Sequence, residues 1–261
     1  MLIFGLGYAA GHLATALRRE GWDVVGTRRN AADGAIAFND PDAVRGEIAR
    51  ATHILSSVPP EDGADPVLTN YGADIAACGA RWIGYLSSTG VYGDAAGAWV
   101  DEASPIGSGR RAARAVADAS WQALRRDVHV FRLPGIYGPG RSPLDRIRAG
   151  KAHRIDLPGQ VFSRVHVADI VAGVRASFVG APAAYNLADD LPISQNAVID
   201  YGCDLIGIAP PPLLTLEQAQ LSDMALGFYR ENRRVANGKA RRMLGWRPRF
   251  ATYRAGLRSL V

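Results

Sequence analysis

The chain has 261 residues and 27.8 kDa, which suits a nucleotide-binding α/β domain with a smaller appendage. Its net charge of +5 comes from scattered arginines, with Lys151 and Lys239 the only lysines, so it excludes a concentrated nucleic-acid-binding stripe and favours anionic small-molecule ligands. No run approaches the roughly 18 apolar residues of a membrane span, no signal-type segment precedes the first strand, and Cys78 and Cys203 lack metal or disulfide spacing, so a soluble cytoplasmic protein with no metal, membrane or nucleic-acid partner is expected.

The predicted elements alternate from the first residues. Leu2 to Phe4 reads as a strand, and after the glycine turn Ala10, Leu13, Ala14 and Leu17 fall at i, i+3, i+4 and i+7, the buried face of a helix. Further strands are predicted at 23–26, 35–38, 53–56, 82–86 and 128–131. One helix carries Val67, Leu68, Tyr71 and Ile75, and another runs from about Arg110 to Arg126. Beyond Leu133 the turn-rich Pro134-Gly135-Ile136-Tyr137-Gly138-Pro139-Gly140 and the basic segment Arg141 to Arg154 mark where a substrate region branches off. Helix period returns from His166 to Val179, and 184–187 supplies another strand of the main sheet. Ser194 caps a helix to about Ile206, and Thr215-Leu216-Glu217-Gln218 has capping-box spacing for one more. The expected fold is α/β, a Rossmann doubly wound parallel sheet in residues 1–138 completed by about 165–188. The substrate-binding region falls in 139–164 and 189–261.

Gly5-x-Gly7-x-x-Ala10 stands between strand and helix, the context of a dinucleotide fingerprint. Gly5 permits the tight turn, Gly7 lets backbone approach a pyrophosphate, and the small Ala10 keeps helix close to strand; Tyr8 and Ala9 open that helix beside the phosphates. At the end of the second strand Thr27, Arg28 and Arg29 replace the acid that would bind a ribose 2′-hydroxyl, so NADP is favoured, with NAD as the alternative.

Gly84-Tyr85-Leu86-Ser87-Ser88-Thr89-Gly90-Val91-Tyr92-Gly93, some eighty residues after the glycine turn, resembles the extended short-chain dehydrogenase/reductases of the epimerase/dehydratase family. The resemblance implies that Ser88, three residues before Val91, faces the substrate oxygen, with Ser87 beside the cofactor and Thr89 beside the substrate. It also places Asn39, Asp40, Ser56, Ser57 and Val58 near adenine and ribose, and Pro134 and Ile136 near nicotinamide. The family's Tyr-x-x-x-Lys pair is missing: from Ile106 to Trp121 there is neither residue, and the matching register carries Arg110 and Arg114. Arginine stays protonated, so Arg110 can polarise an oxyanion but is a poor proton shuttle, while Arg114 can hold ribose.

This substitution, with Val130-Phe131-Arg132-Leu133-Pro134-Gly135, Phe162-Ser163-Arg164-Val165-His166-Val167-Ala168-Asp169 and Tyr185-Asn186-Leu187, resembles an atypical bacterial branch of that family. Tyr92 and Tyr137 are candidate replacements for the lost tyrosine, and Arg164 and His166 candidate substrate contacts. The implied activity is oxidoreductase, epimerase or dehydratase chemistry on a carbonyl or hydroxyl of a small polar substrate, sugar derivatives included. The alternative is a catalytically inactive NADP(H)-binding sensor or scaffold. Either a monomer or a homodimer is compatible with the sequence.

Overall fold

The computed structural model describes residues 1–31, 34–61, 63–107 and 112–261, apart from the side chain of Met224. Seven short apolar segments form the strands β1 (Leu2–Phe4), β2 (Val25–Arg28), β3 (Ile36–Ala37), β4 (His53–Ser56), β5 (Trp82–Ser88), β6 (Val128–Leu133) and β7 (Ala184–Asn186). They pair in the order β3-β2-β1-β4-β5-β6-β7, all parallel, so the chain reverses its direction of growth between β1 and β4. That is the Rossmann order with one strand added, and ligands of such sheets bind at the carboxyl ends beside the switch point.

The strands are hydrophobic on both sides because helices cover both faces. Ile3, Leu55, Trp82, Phe131 and Tyr185 point into one core with helices α1 (Tyr8–Arg19) and α6 (Val167–Ala176). The alternate residues Leu2, Phe4, Ile54, Ile83, Tyr85 and Val130 point into the other, against α2 (Pro41–Arg50), α3 (Pro66–Ala77) and α4 (Ala112–Leu124). Leu17, Ile54 and Ile75, among the fully buried side chains, each contribute about 1.5–3 kcal/mol by leaving water. A separate core, centred on Tyr137, Leu144, Ile147, Val198, Ile199 and Leu257, joins α5 (Pro143–Arg148), α7 (Gln195–Ile206) and α10 (Tyr253–Arg258).

Several elements depart from the sequence expectation. The second strand starts at Val25 and runs through Arg28, two residues later than predicted, because it is Val25 that pairs with Leu2. Helices α2 and α5 were not anticipated; each has proline in its first turn and a side-chain cap, from Asp40 and Ser142. The Thr215 capping box does form, Thr215 N donating to Gln218 Oε1 and Gln218 N to Thr215 Oγ1. It closes only a turn, and the next helix, α8 (Asp223–Tyr229), begins later with Ser222 as its cap. A further short helix, α9 (Gly238–Leu244), packs its Ala240 into the α1 and α6 core. Among the described residues no helix is long and apolar enough to cross a membrane, and no group of His, Cys, Asp and Glu is arranged to hold a metal.

Candidate functional site

At the carboxyl ends of β1, β4, β5 and β6 lies a cleft of about 900 Å³. One end is the glycine turn. Gly5 has φ +80°, which a residue with a Cβ rarely adopts, and Thr27 Oγ1 accepts a 3.1 Å bond from its N–H. Ser57 Oγ donates to Gly5 O at 2.5 Å, and its own N–H donates to Phe4 O at 2.9 Å. Gly7 is the N-cap of α1, and a Cβ there would meet nothing within 4 Å. The turn therefore presents bare backbone and a helix N-terminus to open cleft, and a pyrophosphate fits such a place. Gly7, Tyr8, Ala9, Ala10 and Ser57 line the cleft.

The neighbouring expectations change role. Thr27 is buried and holds Gly5 rather than facing outward. Asp40 caps α2, accepting from Ala43 N at 3.1 Å. Ser56 is wholly buried on β4, and Val58 packs against Gly5, where a Cβ would meet its Cγ2 at 2.9 Å. Arg28, Arg29 and Asn39 stand exposed near the ends of β2 and β3. Arg29 lies 3.9 Å from Glu61.

Across from the turn, β5 ends at Ser88, whose Oγ accepts from Gly90 N at 3.1 Å and caps the short 3-10 turn Thr89–Tyr92. Ser87, Ser88 and Thr89 all line the cleft, as do Arg114, Pro134, Ile136 and Arg164. Arg114 reaches it from α4 and lies beside the buried Tyr85 hydroxyl, whose pKa burial raises while the Arg114 charge opposes the rise. Arg110 falls outside the described residues.

Beneath Ser87 runs a buried polar network. Ser87 Oγ donates to Asp118 Oδ2 at 2.6 Å, and Arg132 grips the same carboxylate through Nε at 3.0 Å and Nη2 at 2.8 Å. Arg132 Nη1 donates to Tyr92 Oη at 3.0 Å, and Tyr92 donates to Asn186 Oδ1 at 2.7 Å. Burial works against the Arg132 charge, but the bonds and charge of Asp118 outweigh it and hold the guanidinium pKa above its ordinary value. Sequence reasoning missed Asp118, Arg132 and Asn186 as site supports. The available signal was a charged residue inside an apolar strand, which demands a buried partner.

The network removes Tyr92 from the list of proton donors. It is 3 % exposed, does not line the cleft, and its pKa is pushed up to about 12, chiefly by burial, against the lowering effect of Arg132 and Asn186. Tyr137 lines the cleft, but its hydroxyl presses against the bare Cα of Gly256 in α10, where any Cβ would collide with it. Burial raises its pKa, and the nearby Asp189 and Asp169 add to the rise. His166 is also turned away from the cleft. Its Nδ1 accepts from Ala168 N at 3.2 Å as the cap of α6, and its ring packs on Phe250 and Tyr137. Burial, aided by His12 and Arg249, lowers its pKa to about 4. Its ring does not line the cleft, and burial favours its neutral form.

The outer wall comes from the second half of the chain and was largely illegible beforehand. It includes Arg141, Arg146, His153, Gln195, Tyr229 and Arg233. Arg141 stacks over Tyr8 at 5.6 Å, Arg146 Nη2 donates to Lys151 O at 3.0 Å, and Arg233 pairs with Glu231 at 2.9 Å. Tyr229 meets Phe162 edge to face at 5.5 Å.

No known family profile matches the chain. A conserved protein of unknown function from Silicibacter pomeroyi DSS has 42 % identity over 99 % of this chain and 96 % of its own, with a TM-score of 0.88. A Streptomyces 3-diazoavenalumate denitrifying reductase is 30 % identical over 158 residues, 55 % of this chain, and the chain spans about half the length of the curated relatives it matches, 51 % of that reductase. The human epimerase family protein SDR39U1, solved with NADPH, shares 16 % identity with a TM-score of 0.80 over 100 % of this chain and 99 % of its own. MoeE5, solved with UDP-glucuronic acid and NAD, shares 22 % with a TM-score of 0.73 over 99 % and 96 %. The structural neighbours are NAD(P)-dependent epimerase/dehydratase-like Rossmann proteins, and at these identities they establish the shared fold.

Proposed function

We infer that this chain, which belongs to the same family as the Silicibacter pomeroyi protein, is a nicotinamide-dependent oxidoreductase acting on a small polar substrate. The observation that carries the reading is the single cleft that joins the open Gly7 turn at the α1 N-terminus to Ser88, Thr89 and Pro134 across the switch point. The bound nicotinamide would supply or accept the hydride. Residues 1–138 with 165–188 hold the cofactor, and 139–164 with 189–261 close over the substrate. Support also comes from neighbours solved with NADPH or NAD and from a Streptomyces relative that is by name a reductase.

In this reading Ser88 hydrogen-bonds the reacting group of the substrate and Arg114 holds the nicotinamide ribose or a developing negative charge. Arg110 shares that task on the strength of its spacing from Arg114 alone. Arg28 and Arg29, exposed at the end of β2, select NADP by binding its 2′-phosphate. With the Tyr92 and Tyr137 hydroxyls turned from the cleft, the reaction favoured is one whose hydride acceptor needs no tyrosine acid.

The test is a spectrophotometric screen of aldehydes, ketones, sugar derivatives and activated aromatics for NADPH oxidation. A turned-over substrate should lose about 100-fold in kcat with Ser88→Ala at unchanged NADPH affinity. The Arg28→Ala, Arg29→Ala double variant should lose at least ~10-fold more affinity for NADPH than for NADH. Tight NADPH binding without turnover of any compound would favour the sensor reading, and absence of nucleotide binding would remove both.

A further inference from the structure

The outer wall of the cleft contains a buried charge whose acidic neighbour, Asp189, makes no direct ion pair with it. Arg164 opens the short strand Arg164–His166 and is 7 % exposed, yet no ion pair among the described residues includes it. Its Nη1 donates to Phe162 O at 2.8 Å and Ile193 O at 3.1 Å, and its Nη2 donates to Gln195 Oε1 at 3.0 Å. A guanidinium has five N–H donors. Those remaining are Nε–H and the second Nη2–H, on the two nitrogens that grip a carboxylate side-on with parallel bonds.

The surroundings compensate that charge only in part. Burial lowers the Arg164 pKa to about 10 against the opposing pull of Asp189, so the group remains charged at neutral pH. Asp189 is itself buried, with Oδ2 lacking any hydrogen-bond partner, and burial pushes its pKa to about 7 despite Arg164. A buried ion without a partner is costly and is retained where a ligand completes it. Around it the cleft offers Phe162, Ile199 and Tyr229, surfaces that exclude water and strengthen a polar contact.

The position relative to the chemistry is fixed by strand pairing. Arg164 stands opposite Gly135 in the parallel pair of Arg164–His166 with Gly135–Tyr137, between Pro134 and Ile136. Paired strands lie about 5 Å apart, so a group held by Arg164 is one strand away from the segment assigned to nicotinamide.

We propose that Arg164 is the receptor for a carboxylate of the substrate, held through Nε and Nη2, so that the cleft selects small organic acids. The proposal rests on the oxidoreductase reading above and names its substrate class. A planar monoanion matches one charge and one two-donor fork. A phosphate presents three acceptor oxygens and nearly two charges, more than the two spare donors of Arg164 match, and the wall's Arg233 is already paired with Glu231.

The experiment measures, by ligand-observed NMR, binding of cinnamate, cinnamamide and inorganic phosphate to the full chain with and without saturating NADPH. Cinnamate is expected to bind the NADPH-loaded protein at least ~10-fold more tightly than its amide. Arg164→Gln should abolish that preference and Arg164→Lys should retain part of it. Equal binding of acid and amide, no binding of cinnamate, or a preference that survives Arg164→Gln would overturn the proposal. So would phosphate displacing cinnamate at the lower concentration, which would assign the site to a phosphate group. Should Arg164→Gln fail to fold, a crystal structure of the wild type with cinnamate decides: its carboxylate belongs on Arg164, and a place beyond hydrogen-bond reach of that residue refutes it. Failure to bind NADPH at all counts against the oxidoreductase reading, whereas NADPH binding without acid preference counts against Arg164 alone.

Discussion

Arg132 and Arg164 are two buried arginines, one near the end of β6 and the other opening a strand of a separate two-stranded sheet, and the protein treats them in opposite ways. Arg132, under the Ser88 edge, is closed in by Asp118 and Tyr92 and has no access to the cleft. Arg164, in the outer wall, lines the cleft, donates to two carbonyls and one amide oxygen, and lies 5.9 Å over the Phe162 ring. The first charge is neutralised and serves to fix Ser87 and the end of β5. The second is left with donors to spare. Burial alone does not distinguish a structural arginine from a recognition arginine; the partner inventory does.

The largest effect that tests this contrast is on stability. Arg132→Met leaves Asp118 buried with its cation gone and should cost about 3–5 kcal/mol of unfolding free energy. Arg164→Met leaves neutral acceptors unpaired and should cost only about 1–3 kcal/mol. Urea denaturation of both variants measures the difference, and equal losses would break the distinction.

A smaller effect concerns the opposite end of the cleft. Gly7→Val has room in the folded protein, since no atom lies within 4 Å of the added Cβ. It should leave the melting temperature nearly unchanged while weakening NADPH binding by about 100-fold, roughly 2.7 kcal/mol. Nucleotide affinity equal to wild type in a folded variant would show that the pyrophosphate lies elsewhere.

The last effect is a pH slope set by Asp189, the acid beside Arg164. Its folded pKa, raised to about 7 mainly by burial, exceeds the unfolded value of about 3.9. The folded state therefore binds more protons between those limits, and the stability this group contributes is complete below about pH 4 and lost as pH rises through 7. Asp189→Asn should gain stability relative to wild type at pH 8 compared with pH 4.5, as read from denaturation at the two pH values. A variant with the wild-type pH slope would show that Asp189 ionises normally, and the charge of Arg164 would then be balanced.

Much of the cofactor half was legible because its information is local. A strand, two glycines, a small residue and an amphipathic helix follow one another within twenty residues, and Ile3 and Leu55 alternate with Leu2 and Ile54 across the sheet as a doubly wound fold requires. Ser88 was placed by its distance from Val91, and it lies at the cleft. The tyrosines were not legible in that way. Tyr92 and Tyr137 sit at the sheet edge where ligands bind, but spacing gives the direction of a Cβ and not where a long side chain ends.

The parallel sheet, the glycine turn at its switch point, the serine edge and the want of a Tyr-x-x-x-Lys pair are all written in the order of residues, because each depends on neighbours in the chain. Which polar tips meet is settled by packing. Ser87 finds Asp118 across 31 positions, Tyr92 finds Asn186 across 94, and Arg164 finds Gln195 across 31. Desolvation and hydrogen bonding act on groups brought together by folding, so the satisfaction of Arg132 and the spare donors of Arg164 belong to the packed molecule.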